Sequence, residues 1–224
     1  MHYSLSFSQV TPQLPFLLAG AWIGLQIAFF AIVLGCALGG AGAAILLHGG
    51  RFSKAIVRGY VSFFTNVPQL VVMMSVFFIL PEFGLLVSPF WAATIGLLLA
   101  ETAYLCEIIK SGIESISPGQ IDAAEVLGLS RRQIAWYVTV PHCVKVLYPT
   151  LCNQFILCVL YTSIASVIGV EEITGRALTI NGISFRSFEI FSMVGLIYVL
   201  LTVVATLALY LFGRLVFRVR AKAF

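Results

Sequence analysis

Long uncharged stretches separate short polar segments along this chain. Asp, Glu, Lys and Arg are absent from 14–47, 59–80, 90–100, 146–170 and 190–213. A helix needs about 20 apolar residues to cross the hydrocarbon core of a bilayer, and all but the third stretch reach that length alone. We therefore predict an all-α integral membrane protein of a single domain with five transmembrane helices. The predicted spans within 1–224 are 14–47, with room for a short lead-in helix, then 59–80, 90–109, 146–169 and 189–213.

Composition supports this class, and charge orients the chain. The sequence is 60% hydrophobic and 10% charged, whereas a soluble domain has roughly a quarter of its residues charged. With the N-terminus outside, only Arg176 and Arg186 fall in outer segments. Basic residues favour the cytoplasmic side of short loops, so we predict an outer N-terminus and a cytoplasmic C-terminus. The other basic residues, all in inner segments, are Arg51, Lys54, Arg58, Lys110, Arg131, Arg132, Lys145, Arg214, Arg218, Arg220 and Lys222.

Cysteine and histidine form no recognisable ligand pattern. The five cysteines include no C-x-x-C pair, and the three histidines are isolated. Thiols in or beside apolar spans are usually buried hydrophobic groups. We therefore expect no disulfide, no bound metal and no cofactor held by this chain.

The first span is rich in glycine. Gly20 and Gly24, and again Gly35 and Gly39, have the G-x-x-x-G spacing that lets another helix approach closely. Packing within the chain and contact with another subunit explain this spacing equally well. The outer connection, 171–189, fits either a solvated connector or a helix that touches a soluble partner.

The least apolar part of the chain is the inner loop 110–145. Ser117 followed by Pro118 is typical of a helix N-cap and first helical residue. Gly128 is suited to end that helix in a left-handed conformation. Ser130–Gln133 has the S-x-x-Q form of a capping box that starts a second helix. The loop is therefore predicted to be a short helix, a glycine break and another helix.

This loop resembles the EAA loop of permease subunits of ABC importers. In that loop E-A-A is followed after three residues by Gly, and after nine more by I-x-L-P. The chain has Asp122, Ala123 and Ala124, then Gly128, then VTVP at 138–141 with that spacing. Asp for Glu, and Val for Ile and Leu, preserve the charge and shape of the motif.

Two longer stretches make the resemblance more specific, to permeases for polar amino acids. Residues 103–120 read AYLCEIIKSGIESISPGQ, similar to AYxAEIxRGGIxSIPxGQ. Residues 148–174 read YPTLCNQFILCVLYTSIASVIGVEEIT, similar to LPALxNQFIxLLKxTSLxSVIGxxEL. The chain departs from the family at 64–70, FTNVPQL in place of an FRGTPLL-like stretch, and at Tyr161, where relatives carry Lys or Asp. These changes remove charge near helix ends and leave the substrate preference open.

The resemblance implies a type I ABC importer permease fold with a cytoplasmic coupling helix, in the bacterial inner membrane. Two permease subunits would form the pathway, a dimer of separate ATPase subunits would bind ATP and Mg, and a periplasmic or lipid-anchored binding protein would deliver the amino acid. The chain has no G-x-x-x-x-G-K-[ST] phosphate loop, so it is expected to be a transporter subunit and not an enzyme. The short chain favours a paralogue over an identical copy as the second permease. The residues expected to dock the ATPase are Asp122, Ala123, Ala124, Glu125, Gly128 and Arg131.

Polar side chains within the predicted spans are candidates for the substrate pathway. Glu101 lies near the middle of the third span, where a charge costs roughly 2.5–3.5 kcal/mol and should face protein or water. It could contact the cargo amino group or hydrogen-bond a neighbouring helix. Asn153, Gln154, Thr162 and Ser163 in the fourth span could contact the cargo or bond between helices.

An ion-coupled secondary transporter or channel is the alternative function. It would work without an ATPase and would usually carry several ionisable groups in the membrane, of which Glu101 alone is a weak indication. A membrane enzyme is disfavoured because the sequence has no HExxH motif and no Ser–His arrangement. Acidic, basic and neutral polar amino acids, and opine-like derivatives, all remain candidate cargoes.

Overall fold

The structure, a computed structural model, describes residues 5–216. Over this range the chain forms helices and turns but no β-strand. The α-helices are α1 (Leu14–His48), α2 (Arg51–Asn66), α3 (Gln69–Glu82), α4 (Pro89–Glu114), α5 (Pro118–Val126), α6 (Arg131–Ile134), α7 (Val140–Tyr161), α8 (Ile173–Ser184) and α9 (Ser187–Val216). Arg218, Arg220 and Lys222, which contribute to the predicted charge bias, lie outside the described residues.

Three short segments complete this order. Two 3₁₀ turns, Phe7–Gln9 and Thr11–Gln13, lead into α1. A π-helical segment, Ala135–Thr139, joins α6 to α7, and a 3₁₀ segment, Thr162–Ile168, follows α7. The all-α class predicted from the sequence is confirmed.

Helices α1 and α4 form the centre of the bundle and run side by side in the same direction. A Cβ added to Gly35 would lie 3.0 Å from Leu105 Cδ1, and one added to Gly39 only 2.8 Å from the Cys106 backbone nitrogen. Real Cβ atoms essentially never come that close to a backbone atom, so Gly39 has to be glycine for α4 to approach this far. Buried residues of α7, among them Cys158 and Val159, complete the core between these two helices.

The other two glycines of the first span also pack inside the chain. A Cβ on Gly20 would lie 2.7 Å from the Glu172 carbonyl carbon, and one on Gly24 would lie 2.9 Å from Thr162 Oγ1. Both G-x-x-x-G pairs of α1 therefore serve packing within the chain. The two ends of the bundle are named here after α5 and α8: α1 starts at the α8 end and finishes at the α5 end.

The second predicted span, 59–80, is not one helix. Helices α2 and α3 meet at a bend of 107° across Val67 and Pro68. Proline has no N–H to donate and its ring forces the preceding residue out of the helical region, which is why Val67 is extended, with φ −95° and ψ 130°. The apolar run is continuous across this break, so hydropathy alone merges the two helices.

The other spans agree with the sequence in number but not at their ends. Within 5–216, four helical stretches are long and apolar enough to cross a membrane, and the bent pair α2–α3 makes five if it counts as one span. Helix α4 runs five residues beyond the predicted 109, to Glu114, and Lys110 and Glu114 pair at 3.6 Å on its surface. Helical structure around the fourth span begins before 146, since it runs through Arg131–Ile168. The loop predicted over 110–145 contains the end of α4, then α5, α6 and the start of α7, and only 115–117 and 127–130 lie outside helical structure.

The connection predicted over 171–189 contains a regular helix, α8. Glu172 caps its N-terminus, with Oε1 accepting a hydrogen bond from the Gly175 backbone N–H at 2.9 Å. Phe185 ends the helix with φ 54°, the one non-glycine residue in this left-handed region among those described. Asn181 and Gly182, residue types that are common in turns, lie inside α8.

Candidate functional site

The predicted coupling segment, residues 117–133, folds largely by its own local hydrogen bonds. Helix α5 starts at Pro118 as predicted, with Ser117 as its N-cap. The Ser117 hydroxyl makes no cap bond, but its carbonyl oxygen accepts from the Gln120 N–H at 3.0 Å. The start of α5 therefore depends on the proline and the backbone turn more than on the serine side chain.

Gly128 ends α5 in the left-handed conformation that the sequence predicts. Its φ is +75°, and its N–H donates to the Glu125 carbonyl at 2.9 Å. The Leu129 N–H donates to the Ala124 carbonyl at 3.1 Å, which completes a Schellman motif. An L-residue with a side chain pays about 1–2 kcal/mol in this conformation, so glycine defines the turn.

The capping box at the start of α6 is present in full. The Gln133 N–H donates to Ser130 Oγ at 3.4 Å, and the Ser130 N–H donates to Gln133 Oε1 at 2.8 Å. Two N–H groups at the helix terminus are thereby satisfied without help from the rest of the bundle. The segment between α4 and α7 is thus a compact, self-capped unit.

The predicted docking residues lie on an exposed surface, with one exception. Ala124 is on the inner side of α5 and is buried, so it supports the segment and does not form its outer face. The others, all exposed, are Asp122, Ala123, Glu125, Gly128 and Arg131.

Apolar residues that sequence analysis did not single out dominate the same surface. Val126 is 88% exposed and Leu127 79%, and Trp136 and Tyr137 of the π-helical segment are also exposed. A groove of about 470 Å³ lies between α5 and the start of α7, lined in part by Ala123, Leu127 and Tyr137. Charged residues had drawn attention to the segment, but exposed apolar residues beside them were the signal for a protein partner.

A second polar region lies inside the bundle, around Glu101. The Glu101 side chain of α4 is fully buried, and its Oε2 accepts a 2.8 Å hydrogen bond from Gln154 Nε2 of α7. Its other carboxyl oxygen, Oε1, has no hydrogen-bond partner. Two of the five predicted pathway residues are therefore brought together, and one buried carboxyl oxygen remains free to accept a bond.

Two further buried polar residues were missed, and one of them belongs to this cluster. Gln69, the first residue of α3, approaches the Glu101 carboxyl, and both of its side-chain polar atoms are buried without a partner. Thr102 Oγ1 is buried and unpartnered as well. The signal for Gln69 was its position directly after Pro68, since a helix that begins inside the membrane exposes its first residues to the interior.

The remaining pathway candidates are not part of this cluster. Asn153 lies on the exposed side of α7, next to the buried Gln154. The Thr162 hydroxyl donates to the Val159 carbonyl and the Ser163 hydroxyl to the Leu160 carbonyl, each at 2.7 Å. These two hydroxyls are satisfied by the backbone of their own helix.

Comparisons with known proteins agree with this architecture. The family of binding-protein-dependent transport system inner membrane components matches residues 31–218. The arginine transport system permease protein ArtQ of Bacillus subtilis (strain 168) is 32% identical over 204 residues, covering 91% of this chain and 93% of that protein. The glutamine transport system permease protein GlnP of Escherichia coli (strain K12) is 31% identical over 205 residues, covering 91% and 94%. A solved structure, described as a crystal structure of an amino acid ABC transporter with histidines, superposes with a TM-score of 0.87 at 29% identity, covering 95% of this chain and 99% of that one.

These similarities define the class of protein. The chain belongs to the family of inner membrane components of binding-protein-dependent transport systems. It is a permease subunit of an ABC importer and not an enzyme, as the EAA-like loop had indicated. The alternative of an ion-coupled transporter or channel without an ATPase is not favoured.

Proposed function

We propose that this permease carries a polar amino acid or a close derivative, and that its coupling segment docks a separate ATPase. Its relatives are named for arginine, glutamine and octopine transport, which are polar amino-acid cargoes or derivatives. The observation that carries the proposal is the coupling segment itself. It is an exposed helix, held rigid by the Gly128 turn and the Ser130 capping box, with apolar residues facing outward.

The shape of this segment suits the transmission of force. The Schellman turn after α5 and the capping box of α6 keep their form when the segment is pushed from outside, because their hydrogen bonds need no partner from the bundle. Movement of an ATPase against α5 would pass to α4 and α7, which flank it in the chain. Asp122, Glu125 and Arg131 would fix the register of docking, and Ala123 would let the partner backbone approach closely.

The buried cluster supplies the chemistry for a zwitterionic cargo. The free Oε1 of Glu101 is an acceptor for an ammonium group, and the amides of Gln154 and Gln69 can both donate and accept. A carboxylate held between two amides in a dry interior binds an ammonium group more strongly than it would in water. We assign the amino group of the cargo to Glu101 in the conformation that opens a path to it.

The complete transporter would contain further chains. We propose that a separate ATPase dimer binds ATP and Mg, that a binding protein presents the cargo at the α8 end, and that a paralogous permease forms the other half of the pathway. With this arrangement the α5 end faces the cytoplasm, which agrees with the charge bias of the loops. The N-terminus is then outside and the C-terminus inside.

The test is purification of the tagged chain from its native membranes in mild detergent, followed by mass spectrometry of the proteins that come with it. We expect an ATPase with a phosphate loop, a second permease and a binding protein. Gly128→Asp should reduce the recovered ATPase and ATP-driven uptake at least tenfold, because it strains the turn and adds a charge to the docking surface. Uptake of labelled arginine, glutamine, glutamate and octopine then identifies the cargo.

Two variants separate docking from general damage. Gly119→Asp changes another exposed glycine of the same segment, at a position where an added Cβ would meet open space and where φ is not left-handed. Recovery of the ATPase should therefore be unchanged. Gly128→Asn keeps a residue that tolerates the left-handed region and should retain intermediate activity. If a well-folded, abundant chain carries no ATPase, the docking assignment is wrong.

A further inference from the structure

Helix α2 has one face that packs into the bundle. Val61 is buried in a cluster with residues of α1 and α4, and the Tyr60 hydroxyl donates to the Leu99 carbonyl of α4 at 2.7 Å. Val57 and Phe64 pack against the same cluster. Since these residues recur at helical spacing, they define a single side of the helix.

A second face of α2 is apolar and uncovered. Phe52 is 80% exposed, Ile56 57% and Phe63 59%. Their spacing of four and seven residues puts them on one stripe, about a third of a turn from the packed face. Gly59 falls on the same stripe, and a Cβ there would meet nothing within 4 Å. Among the described residues, none of these three side chains belongs to a buried hydrophobic cluster.

The third face of α2 is basic. Arg51, Lys54 and Arg58 are spaced at three and four residues, so they follow one another along the helix. Among the described residues, neither Arg51 nor Arg58 forms an ion pair with a carboxylate, and both are exposed. Lys54 Nζ donates to the Leu47 carbonyl at the end of α1, at 3.0 Å.

Helix α2 lies across the bundle at the depth where the spans leave the hydrocarbon core. Arg51 and Arg58 are exposed, and exposed charges are excluded from that core, so this helix lies at its edge. Gly42 packs beside Val57 of α2 and Cys106 of α4. Because α3 packs along α4, the 107° bend leaves α2 nearly perpendicular to the spans.

We propose that α2 binds anionic phospholipid in the leaflet at the α5 end, with its apolar stripe among the acyl chains and Arg51 and Arg58 on the headgroup phosphates. Charge complementarity selects this occupant over uncharged lipid. The two guanidinium groups, about 10 Å apart along the axis, can each bind a phosphate bidentately. A helix that lies in the interface with separate apolar and basic faces is held there by burial of its apolar face and by electrostatic attraction to anionic lipid. The surface is distinct from the coupling segment and from the buried cluster.

The experiment uses bromine on lipid acyl chains, which quenches tryptophan by contact. Phe52→Trp puts a tryptophan reporter on the apolar stripe of the complete transporter in nanodiscs. The fluorescence of the parent transporter, which includes native Trp22, Trp91 and Trp136, is subtracted from that of the variant. Two nanodisc preparations contain phosphatidylglycerol and phosphatidylcholine at equal mole fractions. Only the phosphatidylglycerol is brominated in one preparation, and only the phosphatidylcholine in the other. We expect phosphatidylglycerol to quench more, since each basic side chain at an anionic surface enriches it roughly five-fold.

Charge variants in the reporter background test the recognition itself. Arg51→Gln with Arg58→Gln should bring the two quenching values close together, whereas Arg51→Lys with Arg58→Lys should keep most of the difference and so guards against misfolding. Arg214→Gln, an exposed arginine on α9 at the same end of the bundle, should change nothing.

Each other outcome would overturn the proposal in a defined way. Equal quenching by both lipids in the reporter protein would mean that the apolar stripe meets lipid without headgroup selection. No quenching would mean that another protein chain covers the stripe. Relief by inorganic phosphate at constant ionic strength would identify a site for soluble anions instead of lipid.

Discussion

The coupling segment and the buried cluster around Glu101 are both polar, yet they are built in opposite ways. The coupling segment is exposed, and its bonds join residues at most five positions apart, as between Leu129 and Ala124. The buried cluster joins α4 to α7 through residues 53 positions apart in the chain, Glu101 and Gln154. The first presents apolar side chains to its outer surface, and the second keeps polar atoms unpartnered inside.

This difference assigns the two regions different vulnerabilities. Local hydrogen bonds make the coupling segment tolerant of changes in the bundle but sensitive at its own turn and cap. The buried cluster depends on close helix packing, because Glu101 reaches Gln154 only when α1, α4 and α7 meet as they do here. Different substitutions should therefore affect cargo transport, the stability of the bundle and the shape of the coupling segment independently of one another.

The largest effect is expected inside the bundle, for Glu101→Gln. The variant keeps the size of the side chain but loses the carboxylate that would accept the cargo ammonium group. A hydrogen bond to a charged group is worth about 1.5–3 kcal/mol, so half-saturation of uptake should move up roughly 10- to 100-fold. The measurement is ATP-driven uptake by proteoliposomes over a range of cargo concentrations.

Thr102→Val is the matched control for Glu101. It removes a neighbouring hydroxyl that is also buried and unpartnered, while preserving shape, so uptake should be unchanged and stability equal or higher. If the cargo concentration at half-saturation is unchanged in Glu101→Gln, the carboxylate only links two helices and does not bind the cargo.

The next largest effect concerns helix packing, through Gly39→Ala. The added Cβ would lie 2.8 Å from a backbone nitrogen of α4, so the helices must separate, at a cost of about 1–3 kcal/mol. The temperature of unfolding in detergent should fall. At Gly40 the added Cβ would lie 3.8 Å from Ile109 Cδ1, an ordinary contact, and Gly40→Ala should be neutral. Equal effects at both positions would contradict the packing described for α1 and α4.

A smaller effect is expected at the α8 end, from Glu172→Gln. Glu172 lies outside the membrane spans, and its burial raises the pKa of its carboxyl above the ordinary 4.5, although hydrogen bonds from Tyr198 and the backbone lower it. The folded protein thus holds this proton more tightly than the unfolded chain does. Its stabilising contribution is complete below pH 4.5 and is lost as the pH rises through the folded pKa.

Unfolding temperatures measured across this pH range check that prediction. Glu172→Gln should flatten the decline in stability toward neutral pH, since the amide cannot ionise and can still bond to Tyr198. Glu171→Gln, at the exposed neighbouring residue, should retain the parent slope. Identical slopes in the parent and in Glu172→Gln would refute the assignment.

The smallest effect is expected in the coupling segment, from Ser130→Ala. The loss of the capping box should cost about 1 kcal/mol locally and leave the temperature of global unfolding unchanged. Hydrogen exchange of the α6 amides should become faster. Ser117→Ala removes a hydroxyl that makes no cap bond, so exchange in α5 should stay the same. Faster exchange in both variants would mean that local capping does not distinguish the two serines.

The sequence predicted well where structure is local or where hydropathy dominates. The helix start at Pro118, the left-handed Gly128 and the Ser130–Gln133 box all follow from short-range rules, and all are present. Hydropathy identified the membrane class and the approximate spans. It could not find the bend between α2 and α3, because apolar residues continue through both helices and only Pro68 marks the break.

What the sequence determined by itself is the membrane class, the family and the self-capped coupling segment, since each rests on composition or on residues close together in the chain. Tertiary structure decided which polar residues meet. It joined Gln154 and Gln69 to Glu101, left Asn153 outside, and turned the glycines of α1 toward α4, α8 and the segment after α7. It also laid α2 across the bundle, so that one helix has a packed, an apolar and a basic face. The physical reason is that a contact between helices depends on their rotation and depth, which no pattern within a single helix specifies.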